Sequence, residues 1–205
     1  LPICIARAIA GDLAAPATAT SIATRIRDDF GRLDILVNNA GVNIIDRMWS
    51  KLSPEGARQL IDGNLASAFY CVTAALPLMR EKKDGLLVHI ASMSGRFVGI
   101  MSGPGYTAAK HGLVAMSHSL NMEECINGIR STVVCPGEVA TPIIDKKPVP
   151  VSAEDRGRML QSEDVADLVL YVARLPKRIC MNEVLITPTW NRGYVALHNQ
   201  AHVKV

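Results

Sequence analysis

Aromatic side chains are scarce in this chain, at 4% of 205 residues, and its 22 lysines and arginines outnumber the 19 acids by only three without gathering into a stripe. A nucleic-acid groove uses dense basic charge interleaved with stacking rings, so that class of partner is set aside. No apolar run approaches the roughly 18 residues needed to cross a bilayer, since even residues 71–79 are cut by Thr73 and Pro77. The cysteines, Cys4, Cys71, Cys125, Cys135 and Cys180, are odd in number, far apart and without a C-x-x-C pair. Neither a disulfide framework nor a thiolate zinc site is suggested, and a reducing cytoplasm fits. The first residues carry no basic segment ahead of an apolar one, so no signal peptide is read there. A G-x-S-x-G elbow is also absent, which argues against hydrolysis.

What is present is apolar and mixed. Hydrophobic residues make up 49% and charged residues 20%, enough for a sizeable core in a single domain. Short β-branched runs alternate with longer helical patterns, the signature of βαβ units around a parallel sheet. Strands are expected at residues 34–37 (DILV), 85–91 (GLLVHIA), 131–135 (STVVC) and 183–187 (EVLIT), with a weaker one at 7–13. Helices are expected at 18–30, ending at Gly31, and from Ser53-Pro54-Glu55 towards Met79, with Pro77 disturbing the last turns. Others should span 106–125 and open at Ser162-Glu163-Asp164, the latter with Val165, Leu168, Val169 and Val172 at core spacing. Residues 142–161 hold two prolines, several charges and little periodicity, and are expected as a long loop of the kind that covers a site. The fold class is therefore doubly wound, mostly parallel α/β.

Chemistry-bearing residues cluster after the strands. Asn38-Asn39-Ala40-Gly41 directly follows DILV, placing a small, polar turn at a strand's carboxyl end, where open parallel sheets bind ligands. Ser92 closes the GLLVHIA strand and Gly95 follows it. Tyr106 and Lys110 lie four apart on an expected helix, so ammonium and phenol share a face. A nearby cation favours the phenolate; lowering a phenol by about 3 units from its ordinary 10 takes roughly 4 kcal/mol of differential interaction. A tyrosine tuned in that way can give a proton to a carbonyl oxygen or take one from an alcohol. Each element alone has a bland reading, a turn, a cap or a snorkelling surface pair.

Together, in this order and spacing, they resemble the short-chain dehydrogenase/reductase family. Asn64, in Asp62-Gly63-Asn64-Leu65, matches the family's helical asparagine; Pro136-Gly137 through Thr141-Pro142 matches its P-G...T segment; Asp12-Leu13 is similar to its Asp-Val pair beside the adenine. The resemblance runs from about Arg7 to Trp190. It implies a Rossmann-type domain and hydride transfer between a nicotinamide cofactor, NADP or NAD with NADP favoured, and a small-molecule carbonyl/alcohol substrate. Tyr106 would be the general acid/base, Lys110 would lower its pKa and bind the nicotinamide ribose, Ser92 would hydrogen-bond the substrate oxygen, with Ser94 the alternative, and Asn64 would hold a water linked to Lys110. Asp12, Leu13, Asn38, Ala40 and Gly41 would line the adenosine half, while Pro136, Gly137, Val139 and Thr141 would position the nicotinamide. A homodimer or homotetramer paired through the helices at 54–79 and 106–125 is also implied.

The same resemblance exposes a gap. Family members begin with a strand, a T-G-x-x-x-G-x-G turn and a helix that receives the pyrophosphate. None of it is in this sequence, and Gly103-Pro104-Gly105-Tyr106-Thr107-Ala108 is a decoy that overlaps the Tyr-Lys pair. The domain is accordingly expected as an N-terminally truncated one, with DILV an exposed apolar edge and residues 1–13 either recruited beside it or left as a remnant. The competing reading is a relative that keeps the catalytic residues but holds dinucleotide poorly. No metal is expected: His198 and His202 share helical spacing without the acid of H-E-x-x-H. His111 and His118 are expected to be structural or interfacial. Lys146, Lys147, Arg156 and Arg158 are interspersed with Asp145, Glu154 and Asp155, which suggests a solvated loop.

Overall fold

The computed structural model describes residues 6–147 and 149–201. Four parallel strands, β1 (Ile35–Asn38), β2 (Gly85–Ile90), β3 (Ile129–Pro136) and β4 (Glu183–Ile186), lie in the order β1-β2-β3-β4. Leu87 pairs with both Leu36 and Ser131, which fixes the register across the first three strands. The helices are α1 (Pro16–Phe30), α2 (Pro54–Ile61), α3 (Ser67–Lys82), α4 (Pro104–Glu124), α5 (Ala153–Arg158), α6 (Ser162–Arg174) and α7 (Arg192–Ala201).

Both sheet faces are covered because the two central strands are apolar on both sides. Leu87, Ala91, Ile129, Val133 and Cys135 pack against Val72, Leu76 and Met79 of α3 and Leu113, Val114 and Met116 of α4. The alternate set, Leu86, Val88 and Val134, packs against Val172 of α6, with Leu168 and Val169 beside it. This is the doubly wound arrangement the near-continuous apolar runs imply. At the edge, Ile35 and Val37 are each 42% exposed, and no described segment pairs with β1 on its outer side. The exposed apolar edge expected at DILV is thus present.

Local chemistry sets the helix ends. Gly31 closes α1 in the left-handed region at φ 65°, and its N–H bonds the Arg27 carbonyl. Ser53 caps α2 by accepting from the Gly56 N–H at 3.0 Å, with Pro54 and Glu55 in the first turn. Between α2 and α3 the helix widens into a single π turn, Asp62–Ala66. The expected helix from Ser53 to Met79 is therefore interrupted at that turn, and it continues through Pro77 to Lys82.

Two expectations need correcting. Residues 6–12 form no strand: the Asp12 carboxylate accepts from the Ala14 N–H at 2.9 Å, and the resulting turn leads straight into α1. Residues 1–5 lie outside the described set. The loop at 142–161 is more ordered than expected, with a 3₁₀ turn at Pro142–Lys146, α5 capped by Ser152, and a parallel bridge between Val139 and Leu160. Proline-rich composition masked these because the stabilising contacts are with distant residues. The terminal tail holding His198 is helical, as α7, while His202 lies outside the described residues.

His89, fully buried on β2, shares the α3/α4 side of the sheet with Leu87 and Ala91. Its Nδ1 lies 3.1 Å from the Asn38 side-chain nitrogen, so the amide donates and the ring proton sits on Nε2, which is buried without a partner. Burial pushes the imidazole down to about 4. The folded state therefore resists protonation while the unfolded chain takes up a proton near 6.5, and stability drains away as pH falls from 6.5 towards 4, by up to about 3 kcal/mol. Urea denaturation of the protein and of His89→Leu at pH 7.5, 5.5 and 4.5 checks this: the variant should lose less stability on acidification, and parallel pH profiles would refute the assignment.

Candidate active site

The carboxyl ends of β1, β2 and β3 bring three turns to one edge of the sheet. β1 ends at Asn38 and runs into Asn39-Ala40-Gly41; β2 ends at Ile90 and reaches Ser92 two residues later; β3 ends at Pro136 and passes to Gly137. The amino-terminal turns of α4 face them. Pro104 fixes its first position, so Tyr106 lies in the first turn and Lys110 one turn on.

Ser92 is extended (φ −176°, ψ 159°); its hydroxyl accepts from the Ser94 N–H at 3.1 Å and lies near enough to the Tyr106 phenol to affect its ionisation. Ser94 is turned elsewhere, its hydroxyl 2.6 Å from that of Ser102. Of the two serines, Ser92 is the one brought to the tyrosine. Burial pushes the phenol above its ordinary value, and the Ser92 hydroxyl and the Arg47 guanidinium pull it back. Lys110 is only 3% exposed, its ammonium donating to the Ile90 carbonyl at 3.0 Å and lying 5.6 Å from the Tyr106 ring centroid. Burial lowers it to about 8, so it is still largely a cation at neutral pH. The sequence-level reasoning weighed only the cation beside the phenol; desolvation of the pair, invisible in a linear motif, is the larger influence on both.

Asn64 sits in the π turn and is 1% exposed. Its amide donates to the carbonyls of Val42 and Leu60, both at 2.8 Å, and its Oδ1 accepts from the Val42 N–H at 3.0 Å. It therefore staples the segment after Gly41 to the helix pair. A Cβ on Gly41 would lie 3.1 Å from Asn64 Oδ1 and 3.3 Å from Lys110 Nζ, closer than side chains normally pack. Glycine there keeps a narrow gap between the backbone and the ammonium. At the β3 turn, the Gly137 N–H bonds the Ile186 carbonyl at 2.8 Å, Val139 bridges Leu160, and the Thr141 N–H bonds the Val139 carbonyl at 2.8 Å.

The adenosine-side residues are less gathered. Asn38 spends its amide on His89, and Asp12 is exposed, its carboxylate bonded within its own turn, beside a half-buried Leu13. No described strand enters a helix through a glycine-rich phosphate turn. Two features escaped sequence reasoning. Arg47, between β1 and α2, is 3% exposed and near enough to bias Tyr106. Glu138 is gripped by Arg192, at 2.7 and 2.8 Å, and by Lys147. Neither has a local sequence signature, because each depends on partners far along the chain. The histidines of α4 have structural contacts, His111 with the Thr107 carbonyl at 2.9 Å and His118 with Glu183 at 3.1 Å.

The short chain dehydrogenase family model matches residues 5–149. A D-beta-hydroxybutyrate dehydrogenase of Rhizobium meliloti is 31% identical over 183 residues, covering 79% of this chain and 69% of that protein. The 3-oxoacyl-[acyl-carrier-protein] reductase of Escherichia coli is 33% identical over 166 residues, covering 77% of this chain and 66% of the reductase. Among solved structures, a metagenomic short-chain oxidoreductase in complex with NADP superposes with a TM-score of 0.72 at 28% identity, over 87% of this chain and 72% of that one. With a parallel sheet covered on both faces and a Ser92, Tyr106 and Lys110 edge of the matching kind, the chain belongs to the short-chain dehydrogenase/reductase family.

Proposed function

We propose that the chain transfers hydride between NADP or NAD and a carbonyl/alcohol substrate, with Tyr106 as general acid/base. The observation that carries this reading is the Tyr106 phenol beside Ser92, with the Lys110 ammonium held on the Ile90 carbonyl at 3.0 Å and lying 5.6 Å from the tyrosine ring centroid. The nicotinamide, when bound, supplies or accepts the hydride at the substrate carbon. The remaining work falls to the protein. Ser92 and Tyr106 hold the substrate oxygen between two hydroxyls. In reduction, the phenolic proton moves to that oxygen; in oxidation it returns. Lys110, held on the Ile90 carbonyl, supplies positive charge that stabilises the phenolate left behind and offers a donor to a ribose hydroxyl across the Gly41 gap. Asn64 fixes that gap and stands where a water could connect Lys110 outward. Pro136, Gly137, Val139 and Thr141 would seat the nicotinamide, and Asp12, Leu13, Asn38, Ala40 and Gly41 the adenosine. NADP is taken as the first cofactor to test because the 28%-identical relative was solved with it. The proposal includes a cytoplasmic homodimer or homotetramer pairing along α2–α3 and α4, where Phe69 and Met122 are exposed.

Titration with NADPH and NADH, followed by nicotinamide fluorescence, should show micromolar binding to at least one. A chain that is folded by circular dichroism and binds neither would overturn the reading and leave a relative that keeps the residues without the activity. Tyr106→Phe should keep nucleotide binding and lose roughly 10²- to 10⁴-fold in turnover across a ketone panel.

Because burial holds the phenol protonated at neutral pH, the proton donor for reduction is already in place, whereas oxidation needs the phenolate. Oxidation should accelerate about tenfold per pH unit from pH 6 to 8, where Lys110 begins to lose its charge, while reduction stays nearly level, measured as kcat/KM in both directions. An oxidation rate independent of pH would assign the base elsewhere. Gly41→Ala, by crowding Lys110 and Asn64, should cost about tenfold in kcat/KM with little change in Tm; unaltered kinetics would mean that the gap is not used.

A further inference from the structure

Arg47 is an unusual cation for this position. It is 3% exposed, yet no carboxylate of the described residues pairs with it, and Glu138 is taken by Lys147 and Arg192. One guanidinium nitrogen donates to the Lys146 carbonyl, and Nε is buried with no hydrogen-bond partner at all. The residue is pressed onto the loop that leads into α4: a Cβ on Gly103 would fall 2.7 Å from the Arg47 carbonyl oxygen and 2.8 Å from its Cγ. Gly103, at φ 77°, is the N-cap of the helix that carries Tyr106 three residues later. The backbone and stem of Arg47 therefore lie on Gly103 while its guanidinium reaches the 142–147 turn, and Arg47 and Tyr106 each alter the other's ionisation.

A buried charge without a counter-ion is unfavourable, and burial does pull this guanidinium below its ordinary value. Such a group is stabilised when an anion arrives. The anion must come from outside the described residues and must lie within reach of the reacting oxygen at Tyr106. We propose that Arg47 is the anion anchor of the substrate site, so that the substrate is an oxo acid or hydroxy acid whose carboxylate takes the Arg47 guanidinium while its carbonyl or hydroxyl oxygen lies between Ser92 and Tyr106. This rests on the hydride-transfer reading above and narrows it to one substrate class. The carboxylate takes over from the Lys146 carbonyl, which couples substrate entry to the 142–147 turn. A guanidinium suits this task because its nitrogens form a planar fork that matches a carboxylate.

Two arms test the anchor, one without turnover. In the first, protein labelled with ¹⁵N at arginine is titrated with 2-, 3- and 4-oxopentanoate, with their methyl esters and with inorganic phosphate, the Arg47 Nε signal being identified by its loss in Arg47→Met. The expected result is a shift of that signal with at least one oxo acid and none with the esters. A still signal overturns the anchor, and a response to phosphate in preference to every carboxylate overturns the carboxylate assignment. In the second arm, kcat/KM for acids and esters is compared in the protein, Arg47→Met and Arg47→Lys. The preference for acid over ester should fall about 10- to 100-fold in Arg47→Met and be partly restored in Arg47→Lys, acid turnover falling far more than ester turnover. An equal loss on acid and ester would make Arg47 a support for the Gly103 turn instead. Acids that move the Arg47 signal without any ketone being reduced would leave the anchor standing and remove the hydride-transfer reading. Reduction of acids and esters alike with a still signal would do the reverse.

Discussion

The site depends on one contact, the Lys110 ammonium donating to the Ile90 carbonyl at 3.0 Å. It ties the second turn of α4 to the last residue of β2, and so sets where Tyr106 stands relative to Ser92. The tie requires the turn after Ser92 to pass very close to the helix. A Cβ on Gly95 would meet the Lys110 carbonyl at 2.8 Å, so this approach is open only to glycine. Once helix and strand are joined there, the ammonium is held almost wholly out of solvent at the mouth of the sheet. Its lowered pKa is the cost of that position.

A second layer of contacts holds this edge in shape. Asn64 uses its Oδ1 and its amide on Val42 and Leu60, binding the β1 turn to the widened helix behind it. Glu138 gathers Lys147 and Arg192, bringing the segment after β3 and the start of α7 to the same end of the sheet. The described parts of this stretch, 142–147 and 149–160, are poor in periodicity and are held through these partners and through the Val139–Leu160 bridge. Their conformation depends on contacts made across the fold.

The parts of this architecture legible from sequence were those with short-range signatures. β2 and β3 are buried on both faces and read as nearly continuous apolar runs; Gly31 and Ser53 mark helix ends by capping chemistry that needs no tertiary context. Tyr106 and Lys110 are visible because helical geometry turns a spacing of four into proximity. What could not be read is instructive in each case. Residues 6–12 carry apolar side chains but form no ladder, since a strand is stabilised by a neighbour and the Asp12 turn is stabilised locally. α7 was hidden in a polar tail, and Arg47 looked like any other arginine until its burial was seen. The balance of forces on Tyr106 was also out of reach, because desolvation is a property of the whole surrounding volume.

The π turn at Asp62–Ala66 has a consequence for how this chain tolerates insertion and deletion. Such a turn holds one residue more than the α-helical path would, and each residue of a helix rotates its successors by roughly 100° about the axis. Deleting the surplus residue would let α2 and α3 merge into one regular helix with Val72, Leu76 and Met79 still facing the sheet, whereas regularising the turn with that residue retained would swing them about a quarter-turn off it. Either change would disturb the Asn64 contacts with Val42. The widened turn thus serves as a phase adjuster, letting one continuous helical segment satisfy the Asn64 contacts at its beginning and the apolar core along its length.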